Sequence, residues 1–349
     1  METKKNIRSL DKTALKEYLV SIGEKPFRAS QIYDWMWKKG VHEFSKMSNL
    51  PPNLRDALAE SFVIHKLTVD DAQKSSDGTL KSAFRLYDGN VVEGVLIPTK
   101  HRTTACISTQ VGCSLSCAFC ATGKMGRIRN LSADEIYDQV VEITKQSKKE
   151  YQSTLSNIVY MGMGEPLLNY SETLRSIEMI TSKEGLAMSP KRITVSTAGI
   201  AKMIRKLGDD DVKFNLAISL HAATDVKRSE IMEINNENSL SSLSEALVYF
   251  HDKTGSRITF EYILFHDFND SLDDAASLAR FCRAFPVKIN LIEYNPVEGV
   301  EFKKTLPERT DAFARFLEDK NMIVNVRRSR GKDIDAACGQ LANKNKAIT

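Results

Sequence analysis

Cys113-Ser114-Leu115-Ser116-Cys117-Ala118-Phe119-Cys120 places three thiols within one short stretch, with an aromatic side chain just before the last. Thiolates are the soft ligands that iron–sulfur clusters require. Three of them can hold three corners of a four-iron cube and leave the fourth iron without a protein ligand. A cluster that only carries electrons normally takes four cysteines, so the spacing suggests an iron kept open for substrate. The competing reading is a structural zinc site or buried cysteines. Structural zinc usually takes four ligands from paired knuckles. The sequence has no second knuckle, and no histidine lies in the loop.

Outward from this loop, the chain has 349 residues, enough for one large domain and a small one. Its 42% hydrophobic and 27% charged content is ordinary for a soluble protein. No apolar run approaches a membrane span. The Met1-Glu2-Thr3-Lys4-Lys5 start lacks the apolar segment of a signal peptide, so the expectation is a cytoplasmic protein, away from membranes. A net charge of +4 permits an RNA partner without demanding one. Six cysteines in such a chain argue for metal or catalysis rather than a disulfide framework. Besides the central three they are Cys106, Cys282 and Cys338, and Cys282 falls in the pattern of a core helix.

The periodicity divides the chain. Residues 1–62 read as a small helical accessory domain. Asp11 caps a helix with Leu15, Tyr18, Leu19 and Ile22 at helical spacing, ended by Gly23. A second helix runs through Ile32, Trp35, Met36 and Trp37 to Gly40. Pro51-Pro52 open a third, carrying Leu54, Leu58 and Phe62. Its lysines Lys38, Lys39 and Lys46 are candidates to meet phosphates, or plain solvated surface. Residues 63–98 read as a β-hairpin extension: strands at 64–69, 79–87 and 91–98, with turns at Asp77-Gly78 and Asp88-Gly89-Asn90. Glu93 lies inside the third, where a lone acid usually faces solvent.

Residues 99–332 alternate strand and helix. Strands are expected at 104–108, 157–161, 192–196, 215–220, 257–264, 288–294 and 323–327. Helices are expected from Ser132 and at 171–182, 200–207, 240–253, 272–284 and 307–319. This alternation implies parallel βαβ units, an α/β fold. Residues 333–349 form a C-terminal loop and tail, expected to fray after Leu341.

Motifs collect at the carboxyl ends of the expected strands, where barrels keep their functional groups. Gly162-Met163-Gly164-Glu165-Pro166 follows one strand. Its glycines allow close backbone approach to a ligand, and its carboxylate can receive an ammonium group; it also reads as a turn with a helix-opening proline. Ser196 with Thr197 and Gly199, then Ser219-Leu220-His221, then Asn295 end later strands. Each taken singly is an ordinary cap or turn. Cys338 sits among glycines and small residues, suggesting an accessible thiol that nearby lysine and arginine would activate. Two basic clusters, 124–129 and 327–332, suit a phosphate backbone or a solvated face.

The C-x-x-x-C-x-φ-C stretch resembles the signature of radical S-adenosylmethionine (SAM) enzymes. The wording of residues 106–113, 161–169 and Ala336-Ala337-Cys338-Gly339-Gln340-Leu341 resembles the dual-specificity adenine carbon-2 methyltransferases of RNA, the RlmN type, along nearly the whole chain. The resemblance implies a partial (β/α) barrel of radical SAM type. It implies a [4Fe-4S] cluster on Cys113, Cys117 and Cys120, and two SAM molecules per turnover, contacted by Gly164, Glu165, Ser196, Ser219, Leu220, His221 and Asn295. It assigns Cys338 as the methyl carrier, Cys106 as its resolving partner through a Cys106–Cys338 disulfide, and Glu93 as the base. The substrates would be 23S ribosomal RNA and transfer RNA, joined covalently during the reaction. The partners would be an electron-donor protein and a disulfide reductant, and the expected state is a monomer. Two alternatives stay open: a carbon-8 adenine methyltransferase of the related resistance type, and a non-catalytic iron–sulfur RNA-binding protein.

Overall fold

Near residue 64 the hydrophobic period changes from helical to alternating, and there the chain leaves a helical module and enters a sheet. The computed structural model describes residues 4–343. Among these, ten strands build one sheet in simple sequence order. They are β1 (Thr68–Lys74), β2 (Leu80–Arg85), β3 (Val91–Pro98), β4 (Thr103–Cys106), β5 (Asn157–Tyr160), β6 (Ile193–Thr197), β7 (Asn215–Ser219), β8 (Ile258–Leu264), β9 (Val287–Glu293) and β10 (Ile323–Arg327). Neighbours from β1 to β4 are antiparallel, joined by the tight connections expected at Asp77-Gly78 and Asp88-Gly89-Asn90. From β4 to β10 every neighbouring pair is parallel. β1 and β10 end the order without pairing to each other, so the barrel is partial, with a hairpin extension on its first strand.

Each parallel step needs a crossover, and the sequence supplies a helix for each. They are Ala133–Tyr151, Tyr170–Thr181, Ala201–Asp209, Leu240–Thr254, Leu272–Phe281 and Pro307–Glu318. Ser132 with Glu135, and Ser271 with Asp274, form capping boxes that satisfy the first free N–H groups. Ile136, Val140 and Ile143 of the first crossover helix are wholly buried against the sheet.

The departures from expectation are local. The strand expected at 64–69 is not continuous. Phe62–Val63 pairs with Lys5–Asn6, and β1 begins only at Thr68. Between them Ile64 and Leu67 bury their side chains while the backbone passes from module to sheet. The second helix, Arg28–Tyr33, slips into a π-turn over Asp34–Lys38. That wider turn keeps both Met36 and Trp37 buried. A short helix at Asp225–Ile231 and a hairpin of Gln110–Gly112 with Arg127–Asn130 were not expected. Both are too short to repeat a period, and Val226 of the helix faces solvent. At the far end, Ala342 and Asn343 are hydrogen-bonded rather than frayed; the rest of the expected tail lies outside the described residues.

The helical module shares one continuous core with the barrel. Its central fastening is electrostatic. Arg8, fully buried, gives two hydrogen bonds to Asp138 of the first crossover helix, at 2.7 and 2.8 Å. The guanidinium also stacks over Trp37, 4.3 Å from the ring centroid. Tyr137 donates its hydroxyl to the Trp37 carbonyl. Burial opposes ionisation of Asp138, but Arg8 and His42 outweigh it and hold the carboxyl below its ordinary value. Replacing Arg8 with Met should destabilise the protein by about 3–5 kcal/mol, because it strands a buried carboxylate. Chemical denaturation at neutral pH measures this. The Asp138 contribution is complete above the unfolded carboxyl value of about 3.9 and fades as pH falls below it, so the gap between Arg8→Met and wild type should narrow in acid.

Candidate active site

The cysteine loop leaves the barrel edge between Gly112 and the short hairpin strand that begins at Arg127. Its neck is tight: a Cβ on Gly112, whose φ is +74°, would lie 1.7 Å from the Gly126 carbonyl oxygen. Only glycine fits there. Cys113 N–H donates to that same carbonyl at 3.1 Å. Further along, Ala118 N–H donates to Ile231 and Ala121 N–H to Gly339. Phe119 points inward, edge-on to His221 and tilted against Phe265. Phe119 and Phe265 belong to a second apolar cluster, with Ile231, Ile263 and Tyr294, and Cys117 and Cys120 pack against it.

The three thiols act on one another electrostatically, and burial pushes Cys113 up to about 11. Among the described residues, no three His, Cys, Asp or Glu side chains converge on a single point as one metal ion requires. A cube takes each thiolate at a separate iron, so its ligands need not converge. Three thiols near enough to act on one another, on a pinned loop, therefore fit a cluster, and binding it must displace their protons.

Beside the loop lie the ends of β5 to β9. Glu165 is buried, and burial raises its carboxyl against the N–H groups that favour its charge. Its two oxygens accept from Leu167 N–H at 3.0 Å and Ala198 N–H at 2.8 Å. The glycines of this turn face protein. A Cβ on Gly162 would meet Ser108 Oγ at 2.6 Å, and one on Gly164 would meet the Gln110 side chain at 2.5 Å. The room a side chain would need at either position is thus taken by the neighbouring strand connection, which is why both are glycine.

Ser196 and Ser219 bring their hydroxyls 3.3 Å apart. Leu220 spends both backbone groups on the protein, its N–H on Glu261 and its carbonyl on Ala222 and Arg228. His221 adopts positive φ and accepts the Ile263 N–H on Nδ1. Burial, helped by the Arg228 charge, lowers its imidazole to about 3, so the ring is neutral. Asn295 reaches the carbonyls of Glu293 and Cys338, each at 3.4 Å.

Glu93 and Cys106 lie on neighbouring strands, and Cys338 is close enough to Cys106 for the two thiols to act on one another. Glu93 is buried in the middle of β3, not facing solvent. Its Oε2 accepts the Ala342 N–H at 2.9 Å, and Lys81 Nζ lies 3.7 Å from Oε1. Cys106 ends β4 in the interior. Burial pushes its thiol up to about 12, and Cys338 adds to the rise. Cys338 is solvent-exposed as expected, and Arg327 is the cation that favours its thiolate. Both are free thiols here. Cys282 is buried in a helix end, as its pattern suggested.

The basic clusters are mostly engaged within the protein. Arg327 pairs with Glu261, Arg328 and Lys332 with Glu293, and Arg330 with Asp77. Arg129 pairs with Asp88 and Glu135, while Lys124 caps the carbonyls of Glu298 and Gly299. In the helical module Lys39 pairs with Asp34 and Lys46 with Glu43. Three site residues carried no sequence signal. Lys81 sits where strand alternation reads as a solvent face. Arg228 lies fully buried in the unexpected short helix, donating to the Ala198, Leu220 and Ser219 carbonyls. Asn269 knits His221, Ile263 and Phe265 together.

A partial barrel with three thiols at the carboxyl edge of its strands defines a radical SAM enzyme. Residues 107–279 match the radical SAM superfamily profile, and residues 5–64 match that of the ribosomal RNA large subunit methyltransferase N-terminal domain. A probable dual-specificity RNA methyltransferase RlmN of Christiangramia forsetii is 54% identical, over 98% of this chain and 97% of its own length. One from Cytophaga hutchinsonii is 56% identical, over 98% of this chain and 93% of its own. The crystal structure of a radical SAM methyltransferase from Sphaerobacter thermophilus superposes with a TM-score of 0.90 at 39% identity, covering 97% of this chain and 99% of that one.

The chain belongs to the RlmN family of dual-specificity RNA methyltransferases. Membership brings SAM and a four-iron cluster as cofactors and RNA as substrate. No helix among the described residues is long and apolar enough to cross a membrane.

The neck of the cysteine loop yields a test. Gly112→Ala should fold but retain little iron after anaerobic reconstitution, because the loop cannot close. Gly23→Ala shares a positive φ but meets open space; it should keep its iron and lose about 1 kcal/mol or less. Iron content and visible absorption decide between them.

Proposed function

We propose that this chain methylates carbon 2 of an adenosine in 23S ribosomal RNA and in transfer RNA, using a methyl group carried on Cys338. The observation that carries this reading is that Cys338 acts electrostatically on both Cys106 and Cys120 of the three-thiol loop, while Glu93 shares a sheet face with Cys106. A non-catalytic iron–sulfur RNA-binding protein has no use for Cys106, Cys338 and Glu93 so placed.

Cys113, Cys117 and Cys120 would hold the cluster. When bound, cluster and SAM supply a carbon-centred radical, a route to a ring carbon that is not nucleophilic. Glu165, with Gly164 beside it, would face the SAM ammonium group. Ser196, Ser219, Leu220, His221 and Asn295 line the same edge and would orient the rest of the cofactor. The neutral His221 suits a hydrogen-bonding role.

Cys338 takes its methyl from one SAM molecule by displacement at sulfur. A second SAM serves the radical step, so two are used per turnover. The methyl on Cys338 would give up one hydrogen atom to that radical, its carbon would then join ring carbon 2 and link protein and RNA, and the one electron left over would pass back to the cluster. Glu93 takes the proton from ring carbon 2, and that bond's electron pair stays with the ring. Cys106 attacks the Cys338 sulfur: a sulfur–sulfur bond forms and the carbon–sulfur bond breaks. The carbon leaves with its electron pair and a proton, as the product methyl. Reopening the disulfide takes two electrons from a reductant, and an electron-donor protein would serve the cluster. Such chemistry suits the cytoplasm.

The outlying thiols test the scheme. Cys338→Ala should accept no methyl at all. Cys106→Ala keeps the carrier but cannot resolve the link, so it should accumulate RNA attached through Cys338. Denaturing electrophoresis after expression, with and without ribonuclease, reads this directly. An adduct on Cys106→Ala and none on the Cys106→Ala/Cys338→Ala variant is the expected result. Unmodified protein in both, beside an active wild type, would remove Cys338 from the scheme. Mass spectrometry of the product adenosine separates carbon 2 from carbon 8.

A further inference from the structure

Lys81 is a buried cation in a position the scheme above leaves without a task. It stands on β2 directly opposite Val95 of β3, and Val95 stands opposite Cys106 of β4. Residues opposite one another in antiparallel strands share a face. Lys81, Val95 and Cys106 therefore form one row on the barrel-interior side. Glu93, two residues from Val95, projects from that same face. The other face belongs to the first crossover helix: Ser82 hydrogen-bonds Gln146, and a Cβ on Gly94 would touch Ile143.

The surroundings of Glu93 offer little else for a negative charge. Lys81 Nζ lies 3.7 Å from Oε1, and no other carboxylate pairs with Lys81 among the described residues. The C-terminal segment gives Oε2 one backbone N–H, from Ala342. Met163 offers only a thioether, near the Glu93 N–H. Cys106 from β4 and Cys338 from the C-terminal segment are the titratable neighbours in the mouth, and Arg327 of β10 acts on both. Enclosing a carboxylate costs free energy that a charge partner at short range offsets, and a base must be held at a fixed position to reach the proton it takes.

We propose that Lys81 is a positioning residue for proton removal: its ammonium group, across the row of side chains on the same sheet face, holds the Glu93 carboxylate in place in the barrel mouth. The proton passes from the ring carbon to a Glu93 oxygen, and the electron pair of the carbon–hydrogen bond remains in the ring. This rests on Glu93 acting as the base.

The full-length protein carrying Lys81→Met, Lys81→Arg or Glu93→Gln is expressed and resolved by denaturing electrophoresis, with and without ribonuclease. Cys338 methylation is followed by mass spectrometry. Lys81→Met should still accept methyl on Cys338 and should accumulate the RNA adduct. It should resolve that adduct more slowly by about tenfold or more, forfeiting part of the roughly 10²–10⁴-fold that a general base supplies. Lys81→Arg, which restores the charge, should recover resolution. A Lys81→Met protein that loses Cys338 methylation as well makes the lysine merely structural and overturns the inference. So does a Lys81→Met protein that resolves the adduct at the wild-type rate, or an arginine that gives no recovery. Glu93→Gln separates the two claims. If it fails to trap RNA, the base assignment itself falls. If it traps RNA while Lys81→Met does not, only the role of the lysine falls.

Discussion

Parallel strands can be joined only by crossovers that return the chain to the same starting side, and seven consecutive parallel strands, β4 to β10, obey that constraint here. Their carboxyl ends therefore line one edge, and the loops leaving that edge hold nearly every polar side chain of the site. Strand ends leave carbonyls without partners, and buried carbonyls need donors. Arg228 collects three of them at once, from Ala198, Ser219 and Leu220. Desolvation lowers its guanidinium to about 10, partly offset by Cys117 and Asp225. The same cation that ties the strand ends together also faces the cysteine loop.

The open side of the barrel is closed by the last described residues. Asp77 and Ser75 of the hairpin extension hold Gly331 and Asp333. Thr122 donates its hydroxyl to the Leu341 carbonyl, and Asn343 donates to the Val91 carbonyl. The hairpin thus does more than enlarge the sheet. It supplies Glu93 and Lys81 on its inner face and docks the segment that bears Cys338 above them. The parallel half offers the candidate cofactor groups, the antiparallel half offers the candidate proton acceptor, and the cysteine loop lies between.

The sequence made the repeating parts of this arrangement legible. Strand–helix alternation, capping serines and the hairpin turns come from local rules, and the elements they implied are present within a few residues. The three-thiol loop was legible because its spacing has few alternative uses. What escaped was set by long-range contact. Glu93 and Lys81 alternate with apolar neighbours as solvent-facing residues do; only the segment folding over them from residues 331–343 makes their face an interior. The glycines at 162 and 164 stand out in the sequence as places of close approach, and the tight neighbours there are Ser108 and Gln110, distant in sequence. The basic runs looked free because their partners, Glu261, Glu293 and Asp77, lie far away in sequence. The π-turn at Asp34–Lys38 follows from two large side chains needing one side of a helix, which no propensity encodes.

Cys106 and Cys338 also differ in how firmly the backbone around each is held. Cys106 belongs to a strand paired on both flanks, to β3 and β5. Exposing its amide to solvent exchange demands something close to global unfolding. Cys338 rides on a segment tied down by a handful of separate hydrogen bonds, which can open locally at a small fraction of that free energy. Amide exchange would therefore run slow at one thiol and fast at the other. The strand sulfur serves as a fixed anvil, and whatever travel the pair requires falls to the segment sulfur.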